Sequence, residues 1–151
     1  MEHISPLWRR FLAGLIDGLV LSLISYCAEF VLPLGEIHDV LIQCYFVLLH
    51  WKFGATVGKA ALRIEVVDSR DGSHLTFGQA LIREMPFIIL VIVGMIQTDP
   101  EILGLHWTIF LLPVFVLTDG LVAVMDHKNR SIHDRLARTI VVYGNHRSRH
   151  S

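Results

Sequence analysis

Cysteine and charge are both scarce in this chain of 151 residues. Its two cysteines are too few to build a disulfide-stapled secreted scaffold, and we expect Cys27 and Cys44 to be buried in apolar packing. Charged residues make up only 18% of the chain, against about 25% in soluble domains. The formal net charge of −1 excludes a basic domain that binds nucleic acid.

Apolar residues are abundant instead: they form 53% of the chain, and the mean hydropathy is +0.54. A transmembrane helix needs roughly 20 mainly apolar residues, and two stretches, about 11–32 and 102–125, reach this length. Two shorter stretches, about 38–53 and 85–98, fit either short spans or buried helices. Because Asp17 interrupts the first stretch and no Ala-x-Ala-type site follows, we expect a retained helix rather than a cleaved signal peptide.

The distribution of basic residues favours four spans. All 13 Lys and Arg residues then fall on the side of the two termini. The opposite connections, 33–39 and 99–101, carry only acidic charges. The positive-inside rule therefore predicts cytoplasmic termini, in a bacterial inner membrane. The alternative is two spans with surface-lying middle helices, which would not need the short connections to lack basic residues.

The predicted cytoplasmic loop, 54–84, contains strand signals. Residues 63–66 alternate polar and apolar side chains, and Asp71-Gly72 is a hairpin turn signal that would bring back 74–77 as a second strand. Residues 139–143 are also β-rich, so a small sheet could instead join the loop to the tail. An amphipathic interfacial helix is expected from Phe77.

These signals define the predicted fold class. It is an all-α membrane protein with four transmembrane helices and a small cytoplasmic β element between helices 2 and 3. Residues 1–143 form a single domain, and the polar, basic residues 144–151 form a disordered tail.

An ordered set of motifs runs through nearly the whole chain: Trp8–Asp17, Gly54–Lys59, Arg63–Asp68 with Asp71-Gly72, Arg83, and Ser131–Val142. It resembles the RDD family of small membrane proteins, which is named for one arginine and two aspartates. These three residues correspond to Arg10, Asp17 and Asp134. Arg138 and the run Ala-Leu-Arg-Ile depart from the family pattern, away from the three named residues. The resemblance implies a transport role, and cation/proton antiport is suggested for some members.

Asp17 is the most conspicuous residue of the first predicted span. An ionised carboxylate in hydrocarbon costs about 2.5–3.5 kcal/mol on insertion scales, so Asp17 should face the bundle interior or water. At 100° per residue it shares a stripe with Arg10, Ser25 and the glycines of Gly14-x-x-x-Gly18, a spacing that fits a close helix contact. Asp17 is therefore either an ion or proton site or a hydrogen-bond acceptor for a neighbouring helix.

Asp119 lies at the depth of Asp17, near the cytoplasmic end of the last span. If these spans touch, the two acids would share a proton or bind a monovalent cation through their oxygens. In the alternative, Asp119 faces water at a frayed helix end.

The cytoplasmic side offers a structural pair as well. Helical side chains lean toward the N-terminus, so Arg10 leans away from Asp17, and we expect it to meet Asp134. The spacing Ser131-x-x-Asp134 also predicts a capping box.

Thr56, Gly58 and Lys59 do not form a phosphate-binding loop, because the glycine spacing is short by one residue and Ala60 follows the lysine. They predict a turn beside the membrane, where Lys59 would touch anionic lipid headgroups, and Arg83 precedes the third span. The nine histidines show no metal-binding spacing and are interpreted as incidental surface residues. We expect no metal, no cofactor and, without a serine–histidine–acid pattern, no enzyme.

Two functions are consistent with the sequence. The first is a cation or proton transport or antiport component that uses the intramembrane acids and forms a homo-oligomer or binds a membrane partner. The second is a scaffold or accessory subunit that carries nothing.

Overall fold

The computed structural model describes residues 4–31, 37–96 and 108–144. This part of the chain is mostly helical with a single small sheet, and the predicted mixture of helices with a minor β element is confirmed. The elements in chain order are α1 (Leu7–Val31), α2 (Ile37–Phe53), α3 (Val57–Ala61), β1 (Ile64–Asp68), α4 (Phe77–Ile96), α5 (Thr108–Met125), α6 (Ile132–Ala137) and β2 (Thr139–Tyr143).

The four long helices coincide with or overlap the four predicted apolar stretches. Among the described residues, Leu7–Cys27 is long and apolar enough to cross a membrane. Val40–Phe53 and Pro113–Met125 are shorter apolar helices. The predicted tail from 145 onward and most of the two predicted short connections lie outside the described residues.

The long helices expose large apolar side chains along their outer faces. Leu19 is 74% exposed and Leu117 is 73% exposed, and many other leucine, isoleucine, valine and phenylalanine side chains behave in the same way. Apolar surface of this extent is unfavourable in water and suits hydrocarbon. Cys27 and Cys44 belong to this exposed surface, so their predicted burial is wrong.

The sheet joins the loop to the tail. Strand β1 pairs antiparallel with β2, in a register that places Ile64 opposite Tyr143 and Asp68 opposite Thr139. Ile4 adds an isolated bridge to Val142, so the N-terminal segment also touches the sheet. Of the two pairings considered from sequence, the one between loop and tail is correct and the local hairpin is wrong.

A helix start explains why 74–77 does not return as a strand. Asp71-Gly72 does form a turn, with Gly72 at φ +71°. The chain then begins α4, because Thr76 and Gln79 form reciprocal capping bonds. The Gln79 backbone amide donates to the Thr76 hydroxyl at 3.3 Å, and the Thr76 backbone amide donates to the Gln79 side-chain oxygen at 3.0 Å. A capped helix therefore replaces the expected second strand.

Helix α4 runs without interruption from Phe77 to Ile96. The expected interfacial helix at Phe77 is therefore not a separate element but the first turns of the third long helix. Pro86 lies inside α4 and Pro113 inside α5.

A compact base forms where α1 and α4 begin and α2 and α5 end. Helix α2 packs on α4, α1 packs on α3, and α6 packs on α4 and α5. One face of the sheet contributes Ile64, Val66 and Val141 to a core that also holds Ala13 and Val47. This base holds the charged side chains described next.

Candidate functional site

Asp134 lies at the centre of the base and has a fully buried side chain. Ser131 caps the short helix α6, and the predicted capping box is present: the Ser131 hydroxyl accepts from the Asp134 backbone amide, and the Asp134 carboxylate accepts from the Ser131 backbone amide at 3.1 Å. This cap fixes the carboxylate with both oxygens turned toward the long helices.

Two arginines from different helices meet this carboxylate. Arg10 of α1 pairs with one oxygen and Arg83 of α4 pairs with the other. Arg10 also donates to the Asn129 carbonyl, and Arg83 donates to the Thr139 hydroxyl at 3.0 Å. The structure thus brings together Arg10 and Asp134, the pair proposed from sequence, and adds Arg83 as a third member.

The charge state of Asp134 follows from these neighbours. Burial acts to raise its pKa, but the guanidinium groups of Arg83 and Arg10 outweigh burial and hold the pKa well below the ordinary value of 3.8. Asp134 is therefore an anion at physiological pH, and it links α1 and α4 through α6.

Asp17 has a different set of partners. Its side chain is buried and accepts from the Thr56 hydroxyl at 2.5 Å and from the Gly58 amide at 2.7 Å. A Cβ atom at Gly58 would collide with the Ala13 carbonyl and lie 3.0 Å from the Asp17 carboxyl carbon. Only glycine allows this close approach, so Thr56 and Gly58 dock the start of α3 onto α1 through Asp17.

Asp119 does not join Asp17. Its carboxylate lies 2.9 Å from Nδ1 of His133 and also accepts from the His133 backbone amide at 3.2 Å. Among the described contacts, Asp17 and Asp119 have different partners and do not touch each other. The shared two-acid site expected from sequence is therefore not formed by direct contact of the two carboxylates. Asp119 instead ties the end of α5 to α6.

A second charged cluster lies beside the Asp134 centre. His50, at the end of α2, is only 2% exposed, and its Nδ1 lies 3.0 Å from Oε1 of Glu84. The Lys59 ammonium nitrogen lies 2.6 Å from Nε2 of the same ring. Glu84 is 6% exposed and follows Arg83 directly in α4, so α4 supplies one side chain to each cluster.

Lys59 is turned inward, which corrects its predicted contact with lipid headgroups. Burial lowers its pKa to about 7, and the nearby positive charge of Arg83 acts in the same direction. The group therefore gains and loses a proton near neutral pH, which an exposed lysine does not do.

Sequence reasoning missed His50, Glu84 and His133. The interpretation of all histidines as surface residues is wrong for His50 and His133, whose rings contact carboxylates inside the base. The local signal that could have found them is weak, since each histidine stands alone and its acid lies on another helix. Within the described residues, no group of three or more histidine, cysteine or acidic side chains is arranged to hold a metal ion.

Gly14 and Gly18 stand apart from the cluster. Both are exposed, and no described atom from outside the adjacent turns of α1 lies within 4 Å of a Cβ built at either position. The described part of the chain does not supply the close helix contact expected at these glycines.

Apolar outer faces and a buried charged base are typical of a small helical membrane protein. The chain belongs to the RDD family, whose family model matches residues 4–138. No curated protein matches the chain significantly. Arg10, Asp17 and Asp134, which the motif resemblance equates with the arginine and the two aspartates of the family name, all lie in the base.

Proposed function

We propose that this protein crosses a bacterial cytoplasmic membrane four times, with both termini inside the cell, and exchanges protons for a monovalent cation. In this arrangement the charged base lies at the cytoplasmic ends of the spans. The bilayer contacts the exposed apolar faces of the helices. Four short helices make a thin pathway, so a homo-oligomer or a membrane partner completes it.

The observation that carries this proposal is the burial of His50 and Glu84 at the end of apolar helices. Burying ionisable groups costs free energy, and in membrane proteins such groups mark ion and proton pathways. A purely structural link could use apolar packing at lower cost. Lys59 adds a group that titrates near neutral pH, as a proton carrier requires.

The two acids predicted as ion sites take different roles in this proposal. Both oxygens of Asp17 accept hydrogen bonds from the α3 turn, so we assign Asp17 to holding that turn against α1. Asp119 remains a candidate cation ligand, because oxygen ligands suit hard cations and Asp119 is only 8% exposed, with its carboxylate 2.9 Å from Nδ1 of His133.

The test is exchange in liposomes that contain the purified protein. An inward sodium gradient should change the internal pH, read by a trapped dye, faster than in empty liposomes. Glu84→Gln preserves the size of the side chain but cannot take up a proton, and it should lower the rate at least about tenfold. Equal rates with and without protein would contradict the proposal.

A matched control separates this effect from general damage. His127 is exposed and lies outside both clusters, so His127→Gln should exchange at the wild-type rate. Thermal unfolding in detergent should show that both variants are folded at the assay temperature.

An accessory subunit without transport is the second candidate. The observation that favours it is the open face at Gly14 and Gly18, since small residues allow close packing of a helix from another chain. Crosslinking through a cysteine placed at Gly14, performed in native membranes, should capture a different membrane protein. Recovery of self-contacts alone would argue against this role.

A further inference from the structure

His50 stands between a base and an acid on two other elements. Nε2 of its ring is 2.6 Å from the ammonium nitrogen of Lys59 on α3, and Nδ1 is 3.0 Å from Oε1 of Glu84 on α4. The three side chains therefore form a line through the imidazole, with one ring nitrogen facing each partner.

Hydrogen-bond chemistry fixes the resting proton positions on this line. An ammonium group only donates, so Nε2 accepts from Lys59 and the ring proton lies on Nδ1, toward Glu84. A carboxylate only accepts, which agrees with a proton on the facing nitrogen. Arg83 stabilises the ionised carboxylate, since its Nε lies 3.8 Å from Oε1 of Glu84.

We propose that His50 relays a proton between Lys59 and Glu84. Lys59 gives a proton from its ammonium to Nε2 of His50, and Nδ1 of His50 gives its own proton to the Glu84 carboxylate. One N–H bond breaks and one forms at the ring, the ring changes tautomer, and an ammonium–carboxylate pair becomes an amine and a carboxylic acid. The net charge of the three groups stays at zero throughout, and the reverse step restores the starting state.

This inference deepens the proposed function, on which it rests, by naming the route of the proton. The contact between Nδ1 and Glu84 is short but not aligned as a hydrogen bond, so a rotation of the ring completes the second link. The charged groups that face the line from other elements are Arg83 on α4, Asp134 on α6 and Arg10 on α1. Arg83 and Arg10 hold the pKa of Asp134 well below its ordinary value, so Asp134 does not compete for the proton that moves among the three relay groups.

Lys59→Arg is the sharpest variant, because arginine keeps the positive charge and donates hydrogen bonds but does not release a proton. In the liposome assay it should lower proton movement at least about tenfold, while the protein stays folded. Lys52→Arg is the matched control, since Lys52 is exposed and outside the line, and it should keep the wild-type rate. Wild-type proton movement in a folded Lys59→Arg variant would overturn the relay.

A spectroscopic measurement tests the relay without transport. Nitrogen-15 NMR of the full-length protein in detergent, with His50 assigned by comparison with His50→Gln, should show a proton on Nδ1 at low pH. The ring signals should shift with a midpoint near pH 7 as Lys59 loses its proton. This shift should disappear in Lys59→Arg and persist in Lys52→Arg.

The liposome assay and the NMR titration together distinguish a failure of the relay from a failure of the proposed transport function. Exchange in liposomes without any linked shift of the His50 signals would overturn the relay and leave the proposed function standing. A linked shift without exchange would support the relay groups and contradict transport. If Lys59→Arg does not fold, a wild-type titration that shows no shift near neutral pH is sufficient to overturn the relay.

Discussion

Two regions of this molecule use the same chemistry in different surroundings. At the buried centre, Asp134 pairs with Arg10 and Arg83, whose side chains are 13% and 2% exposed. In the turn after α5, Asp126 pairs with Arg130 and Arg135, whose side chains are 30% and 48% exposed.

Both aspartate side chains are little exposed, at 0% and 10%, so the exposure of their arginine partners distinguishes the two regions. Exposed ion pairs contribute about 0–1 kcal/mol, because water and salt screen them. A buried pair gives little net stability relative to apolar packing, but removal of one partner leaves an uncompensated charge. The Asp134 centre is therefore sensitive to any change of charge, and we expect the Asp126 turn to tolerate one.

The largest predicted effect is that of Asp134→Asn. The amide keeps the size of the side chain and an acceptor for the cap, but it leaves the charges of Arg10 and Arg83 without a counter-ion. We expect a loss of about 3–5 kcal/mol in the free energy of unfolding, measured by chemical denaturation in detergent. A loss below about 1 kcal/mol would show that burial does not make the Asp134 centre more sensitive to loss of charge than the Asp126 turn.

Acid should weaken the buried centre in the same way. Because the folded pKa of Asp134 lies well below 3.8, its contribution is present above the unfolded pKa and is lost as the pH falls through the folded pKa. The wild-type free energy of unfolding should therefore decrease below about pH 4, and the decrease should be smaller in Asp134→Asn. Parallel pH curves for the two proteins would contradict this assignment.

The next effect concerns the docking of α3 on α1. Gly58→Ala should cost about 1–3 kcal/mol, since its Cβ collides with the Ala13 backbone, which cannot move as a side chain can. Gly14→Ala is the matched control on α1 because its Cβ meets open space, and it should be neutral or slightly stabilising. Thermal unfolding of both variants measures the difference, and equal stabilities would argue against a tight contact at Gly58.

The smallest predicted effect is that of Asp126→Asn. The amide oxygen can still accept from the backbone amides of Lys128 and Arg130, and the two arginines stay hydrated. We expect a change below about 1 kcal/mol under the conditions used for Asp134→Asn. A loss as large as that of Asp134→Asn would remove the distinction between the regions.

Sequence reasoning worked where the signal was local or came from topology. The Ser131 cap is a spacing of three residues, and the Arg10–Asp134 contact follows from placing both residues on one side of the membrane. The helices follow from long apolar stretches.

It failed where a distant partner overrides a local signal, or where only the packing of helices brings two side chains together. The hairpin at Asp71-Gly72 was a strong local signal, but the partner strand of β1 is the distant β2, and the Thr76 cap diverts the chain into a helix. His50 and Glu84 carry no mutual signal in sequence, because only the packing of α2 on α4 brings them together. The predicted spans place Asp17 and Asp119 at the same depth, but depth alone does not determine which neighbours they contact.

The most direct test of the central claim, that the buried charged base moves protons, is the pH profile of sodium-driven proton exchange in liposomes. Because the pKa of Lys59 lies at about 7, the wild-type rate should change between about pH 6 and pH 8 with a midpoint near neutrality. Asp126→Asn, which alters only the exposed region, should give the same profile. No exchange above empty liposomes, or a rate that is constant across this pH range, would contradict the account.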